Sequence, residues 1–310
     1  MKSSEFQLTV SKNAIAFVRC WLPDVDAPRA VVQLIHGMAE HSGRYERLAL
    51  ALTSAGYAVY AQDLPGHGRT ARAPDELGHF SEHAGWRLAL QSMRCLQREL
   101  GEWHAGAPQF MFGHSMGSFL LQDYLSRHAH DLRGAVLSAG TADPGPLRAI
   151  GLALLKAEAL WRGDDEPSAL ADHLTFRSYN RRFAPTRTAF DWLSRDVAEV
   201  DRYVADPHCG FRCTTGLWVQ LLEAIGRLDA RRAARVPKRL ALLAIAGDAD
   251  PVCGGRKGPL SLQRRYTDAG LTDVSARSYP AGRHELLNDQ CRDEVTADLM
   301  TWLDQRVAAG

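Results

Sequence analysis

The 310 residues suffice for one large domain with a full core, and a composition of 45% apolar and 24% charged residues is ordinary for a globular chain. A net charge of +1, with neither a basic stripe nor an acidic tail, argues against a nucleic-acid partner. The opening MKSSEFQLTV lacks the apolar run of a secretory signal, and no stretch approaches the roughly 18 apolar residues of a membrane span, so a cytoplasmic chain without a transmembrane segment is expected.

Residues 6–22 alternate, as FQLTV and AIAFVRCW around SKN, which predicts an antiparallel hairpin. Strands and helices then take turns. AVVQLIHG (30–37) is a continuous apolar strand, YERLALALTSAG (45–56) a helix stopped by Gly56, and YAVYAQDL (57–64) the next strand. A helix within 82–104, a strand at 109–115, a helix at 116–128 and a strand at 132–140 follow. Near-continuous apolar strands separated by helices imply an α/β chain whose parallel sheet is buried on both faces.

The alternation stops after Gly140. Residues 141–212 read as helical, rich in Arg and Asp, with no evident sheet strand. The pattern resumes with a helix at 216–228, where Leu217, Leu221, Ile225 and Leu228 mark one face. A strand at 238–247, a helix at 257–269, a last strand at 273–282 and a C-terminal helix striped by Cys291, Val295, Leu299, Leu303 and Val307 complete the chain. An insertion of ~70 residues between sheet strands exceeds an ordinary loop, and such insertions are usually functional. The expected organisation is a core of residues 1–140 and 213–310 carrying residues 141–212 as a helical cap over the active site.

Within this frame GHSMG (113–117) places Ser115 between an entering apolar strand and a leaving helix, with glycine at both i−2 and i+2. A sharp strand-to-helix turn strains the serine backbone and needs small neighbours so that adjacent segments can approach. Serine is a poor nucleophile unless a base, itself oriented by an acid, takes its proton. In an open parallel sheet such groups gather after the carboxyl ends of strands. Asp248 and Asp250 follow the strand at 238–247, and His284 follows the last strand. Asp250, three beyond Gly247, lies past the turn and can fold back to the histidine, whereas Asp248 is placed to cap the turn. Two N–H donors are also needed for a tetrahedral oxyanion. Met116, at the start of the helix after Ser115, supplies one, and Met38, after His36-Gly37, is placed for the other.

Metal chemistry is the competing reading of several residues. Cys209 and Cys213, with His208 adjacent, lack a second ligand pair at zinc spacing, and no acidic cluster accompanies His36 and His41. Asp248-Ala249-Asp250 lacks the glycine and terminal glutamate of a calcium loop. The six cysteines form no paired framework and read as free thiols, with no metal expected.

Five blocks, HGMAEHSGRY (36–45), DLPGHGRT (63–70), GHSMGS (113–118), GDADPVC (247–253) and YPAGRHELLND (279–289), together resemble the monoacylglycerol lipase and lysophospholipase branch of the α/β-hydrolase family. The resemblance runs in order along nearly the whole chain. It implies the α/β-hydrolase fold, a Ser115–Asp250–His284 triad, an oxyanion hole at the Met38 and Met116 N–H groups, and no cofactor. Related members often have a small residue where Met38 stands, so its longer side chain is expected to narrow the acyl pocket. The implied activity is hydrolysis of a monoacyl lipid ester through an acyl-enzyme. A short-chain esterase, thioesterase or aminopeptidase of the same fold is the alternative. A receptor-like or binding member of that shape would typically lack a triad or oxyanion element, and none is missing here. PLRAIGLALLKAEALW (146–161) is apolar over most of its circumference, so Leu147, Ile150, Leu154 and Leu155 are expected to line the acyl entrance or touch a lipid surface.

Overall fold

The hairpin predicted at the N-terminus forms from β1 (Lys2–Ser11) and β2 (Ala14–Leu22) in the computed structural model, which describes residues 2–80, 84–143 and 145–308. It continues an eight-stranded sheet with β3 (Val31–Ile35), β4 (Ala58–Gln62), β5 (Gln109–His114), β6 (Leu132–Ser138), β7 (Ala241–Gly247) and β8 (Val274–Tyr279). The spatial order is β1-β2-β4-β3-β5-β6-β7-β8. The first two pairings are antiparallel and every later one is parallel.

Helices α1 (Glu46–Ser54), α2 (Gly85–Trp103), α3 (Met116–His128), α10 (Lys257–Asp268) and α11 (Arg292–Ala308) cover the sheet, while α4 (Leu147–Arg162), α5 (Ala169–Leu174), α6 (Phe176–Asn180), α7 (Val197–Ala205), α8 (Thr215–Arg227) and α9 (Ala230–Ala233) lie between β6 and β7. The helix expected within 82–104 falls on α2, with residues 82 and 83 outside the described set. The predicted strands at 132–140, 238–247 and 273–282 are each shorter in the structure, the last two because turns bound them. Leu240 N donates to Pro237 O before β7, and Gly282 N donates to Tyr279 O after β8.

The continuous apolar strands are explained by burial on both faces. Phe110 and Phe112 of β5, with Leu243 and Ile245 of β7, pack against Leu48 and Leu52 of α1 and Leu299 and Leu303 of α11. Met111, Leu242 and Ala244, pointing the other way, meet Met93 of α2, Leu121 of α3, Leu221 of α8 and Leu262 of α10. Period-two alternation therefore serves two cores, and both sets of alternating side chains are apolar.

Among the described residues, nothing from 141 to 212 joins the sheet, and the sole β contact there is an isolated Pro167–Thr214 bridge. α4 lies on α8, where Arg148 Nη1 donates to Leu222 O (2.9 Å) and Lys156 pairs with Glu223 (2.6 Å). Among the described residues no helix is long and apolar enough to cross a membrane.

Candidate active site

Register alone gathers the candidate residues. Ile35 pairs with Gly113, His114 with Ser138, and Gly247 with Tyr279, so β3, β5, β7 and β8 end side by side. Ser115 sits on the turn from β5 to α3 with φ 52° and ψ −117°, a conformation that costs a non-glycine residue on the order of 1–3 kcal/mol. The turn is held by Ser115 N donating to Ser138 O (2.9 Å) and by Ser118 Oγ donating to Ser115 O (2.7 Å). A Cβ on Gly117 would collide with the Ile35 and His36 carbonyls, 2.5 Å from the latter, and one on Gly113 would lie 2.5 Å from Gly117 O. The two glycines flanking Ser115 are there because strand, helix and the β3 loop meet without room for side chains.

Partly exposed Ser115 carries an Oγ 2.9 Å from His284 Nε2, and His284 Nδ1 lies 3.0 Å from both oxygens of Asp250. His284 and Asp250 are buried. Burial works against charge on both, but each supplies the opposite charge to the other. Asp250 is thereby held below the usual carboxylate range and His284 raised above its ordinary value. Asp250 also accepts from Val252 N (2.8 Å) and from the Cys253 thiol (3.2 Å), whose own ionisation is suppressed by burial and then by Asp250. Asp248 lies outside this relay, accepting from Ala281 N (2.6 Å) in the turn before His284.

Met116 opens α3, where the first N–H groups have no partner within the helix. Met38 lies in the loop after β3, and the ideal Cβ of its neighbour Gly37 falls 3.2 Å from Ser115 Cβ. Among the described residues, no hydrogen bond takes up the Met38 N–H. His36 fixes the start of this loop. Its Nε2 accepts from Leu64 N (2.9 Å) while Nδ1 donates to Gly37 O (2.7 Å), and burial pushes its pKa down to about 3, so it is a neutral brace.

Residues 26–291 match the family model described as serine aminopeptidase, S33. The chain belongs to this α/β-hydrolase family. It is 32% identical over 290 residues to a monoacylglycerol lipase of Mycolicibacterium smegmatis, covering 91% of this chain and 90% of that one. It is 29% identical over 299 residues to the monoglyceride lipase of Homo sapiens, covering 94% and 88%. Among solved structures, a thermostable carboxyl esterase from Bacillus coagulans in complex with glycerol superposes with a TM-score of 0.89 at 27% identity, covering 99% of both chains. The monoacylglycerol lipase of Paleococcus ferrophilus does so at 0.69 and 25%, covering 94% and 99%.

This α/β-hydrolase carries a buried charge network that its sequence does not announce. Arg44 is ion-paired with Glu285, next to His284, and with Glu40 (3.3 Å), and it lies 4.8 Å over the Tyr203 ring. Burial opposes its charge, but Glu285 and Glu40 keep the guanidinium protonated. Glu40 also accepts from Gly37 N (2.5 Å) and Tyr45 Oη (2.9 Å). The network therefore joins the Met38 loop to the His284 loop. Residues 40, 44 and 285 share no periodic pattern, and only the repeated charge within HGMAEHSGRY and GRHELL could have hinted at it.

The four apolar residues of α4 divide. Leu147 (74% exposed), Ile150 (58%) and Leu154 (45%) face outward, whereas Leu155 is buried in the main core. Trp161 (85%) continues the outward stripe at i+7 from Leu154, and Leu160 (92%) is exposed beside it. The apolar run at 146–161 contains both, but its pattern does not single out either one.

Ligand atoms of His41, Asp206 and Cys209 lie within 4.8 Å of one another. His41 Nδ1 accepts from Gly43 N (3.1 Å), so Nε2 carries the proton that bonds Asp206 (2.9 Å). Ligation through Nε2 requires the opposite tautomer, and the hydrogen bonds account for the group as a clasp between two loops. A cleft of about 570 Å³ beside it is lined by Arg19, Trp21, Arg44, Arg47 and Glu199 but not by Ser115.

Proposed function

We propose that the chain hydrolyses esters of a single acyl chain with a small alcohol, of the monoacylglycerol or lysophospholipid kind, through an acyl-enzyme on Ser115. The chain is a carboxylic ester hydrolase by its family and relatives. The observation that carries the reading is the unbroken relay from Ser115 Oγ through His284 to Asp250 at the carboxyl edge of the sheet.

In this reading Ser115 Oγ attacks the ester carbonyl carbon as its proton passes to His284 Nε2. Asp250 holds the imidazolium that forms, and the Met38 and Met116 N–H groups receive the oxyanion. Collapse breaks the acyl–oxygen bond, and the departing alcohol oxygen takes the proton from Nε2. Water then attacks the acyl-serine, passing a proton to His284, and Ser115 regains its own as the acid leaves. No metal or cofactor enters any step.

Residues 141–212 serve as the cap, and the core comprises 1–140 and 213–310. The outward stripe of Leu147, Ile150, Leu154 and Trp161 supports contact between α4 and a lipid surface, since such apolar area on a helix face is costly in water. A Trp at its end suits the headgroup boundary. The protein names of the relatives support a monoacylglycerol-like substrate, and the glycerol in the Bacillus coagulans structure supports a small alcohol as leaving group.

The test is a series of p-nitrophenyl esters of rising chain length beside a monoacylglycerol and a lysophospholipid. Each buried methylene is worth about 0.8 kcal/mol, so KM should fall over several added carbons. Trp161→Asp should weaken sedimentation with phosphatidylcholine vesicles and leave hydrolysis of a soluble short ester unchanged. Acetate as the best substrate, with no dependence on chain length, would leave a small-ester hydrolase. Faster cleavage of amino-acid amides than of esters would favour peptidase chemistry.

A further inference from the structure

Residues 190–196 lie within the proposed cap, yet they are bound to the loop that carries His284. Glu285 N donates to Leu193 O (2.8 Å), and Ser194 Oγ to Asn288 O (2.7 Å). Arg195 donates through N (3.1 Å) and Nε (2.6 Å) to the carboxylate of Asp289, which is fully buried and also takes the Arg283 N–H (3.1 Å). Arg283 Nη1 returns to Ser194 O (3.0 Å), and Arg292 pairs with Asp196 (2.5 Å). Such a set of bonds from consecutive residues makes the segment a fixed wall of the histidine loop, unlike outward-facing α4.

On that wall Trp192 is 4% exposed, and its ring lies 5.0 Å from the His284 ring at an interplanar angle of 35°. Its position is over-determined. Asn180 Oδ1 accepts from Trp192 N (3.0 Å), Phe176 stacks on the indole at 5.4 Å and 23°, and Tyr179 leans on it at 5.4 Å. The indole N–H is buried with no hydrogen-bond partner among the described residues. Packing alone orients the ring, and a buried unpaired donor is an expense that packing must offset. An aromatic face attracts an adjacent cation through its quadrupole, most strongly when both are desolvated. His284 becomes that cation each time it takes the Ser115 proton.

We propose that Trp192 is a positioning residue for His284, its indole face fixing the imidazole plane and stabilising the imidazolium formed on proton transfer. This rests on the reading of Ser115 and His284 as nucleophile and base. The other groups around His284 are Asp250 in direct contact, Glu285 and Glu40 nearby and paired with Arg44, and His114, whose ring lies 4.9 Å away and is kept neutral by burial. None of them changes in a Trp192 variant.

The experiment compares Trp192→Leu and Trp192→Phe with the parent in the pH profile of kcat/KM on a soluble p-nitrophenyl ester, with fluorophosphonate labelling and thermal unfolding measured alongside. Leucine removes the π face but keeps the site dry. The acidic limb should move down by about half to one pH unit, a three- to tenfold loss of imidazolium stability, while kcat falls at the optimum. Phenylalanine should restore both the limb and most of the turnover. A purely structural role predicts a lower unfolding temperature with an unmoved limb. That result, or a phenylalanine variant as impaired as leucine, overturns the proposal. Trp192→Met repeats the test if the leucine variant does not fold. Absence of label on Ser115 in the parent would bring down the underlying reading and this inference with it.

Discussion

Replacing Asp250 by Asn separates the two acids that follow β7. Asp250 is buried with both oxygens 3.0 Å from His284 Nδ1, and it also accepts from Val252 N and Cys253 Sγ. Asparagine keeps the volume but removes the charge, and it can present an N–H₂ to Nδ1. The ring then shifts its proton to Nε2, the nitrogen facing Ser115, and ceases to be a base there. The expected loss in kcat is about a thousand- to ten-thousand-fold, or about 4–5.5 kcal/mol of transition-state stabilisation. Asp248→Asn is the internal control. That side chain is partly exposed, accepts from Ala281 N and faces Arg256 at 3.5 Å, so only a few-fold effect is expected. The assay is steady-state hydrolysis of a p-nitrophenyl ester, with circular dichroism to confirm folding. A reversed ranking, or an Asp250→Asn variant within tenfold of the parent, would refute the reasoning.

Gly117→Ala pushes a methyl against the Ile35 and His36 carbonyls, so the Ser115 turn and the Met38 loop must part. Displacement of about 1 Å at such a site costs on the order of a hundredfold in turnover, and a variant with parental kcat would contradict the packing described. Glu40→Ala leaves the Gly37 N–H and the Tyr45 hydroxyl without their acceptor in the interior, while Arg44 keeps Glu285, and should cost about 1–3 kcal/mol for each stranded group, read from the urea midpoint. For pH, a base works only when neutral, and the His284 pKa is raised above 6.5 by Asp250, against burial. Activity should therefore fall with decreasing pH along a limb whose midpoint lies above 6.5, and a midpoint below that value would contradict the pairing.

The parts that could be read in the sequence are those where local chemistry and position coincide. GHSMG declares its turn because glycine at both i−2 and i+2 has little other use between an apolar strand and a helix, and His284 stands out among twelve histidines only by following the last strand. Two-sided burial makes the central strands visible as apolar runs, while ends set by turns such as Pro237–Leu240 leave no mark in that pattern. What stayed hidden depends on contacts between distant segments. Glu40, Arg44 and Glu285 are ordinary surface charges until the fold buries them together, and Trp192 has no sequence neighbour that marks it as the partner of His284. On α4 the pattern showed an apolar helix but not which residues turn inward; Leu155 does and Leu154 does not.

The central claim is that Ser115, activated by His284, carries the acyl group. Reaction of the purified protein with a fluorophosphonate, followed by peptide mapping and by hydrolysis of a monoacylglycerol, tests it most directly. One equivalent of label on Ser115, with Ser115→Ala losing both label and hydrolysis by several orders of magnitude, is the predicted result. Label on another residue, or a Ser115→Ala protein that retains most of its esterase activity, would contradict it.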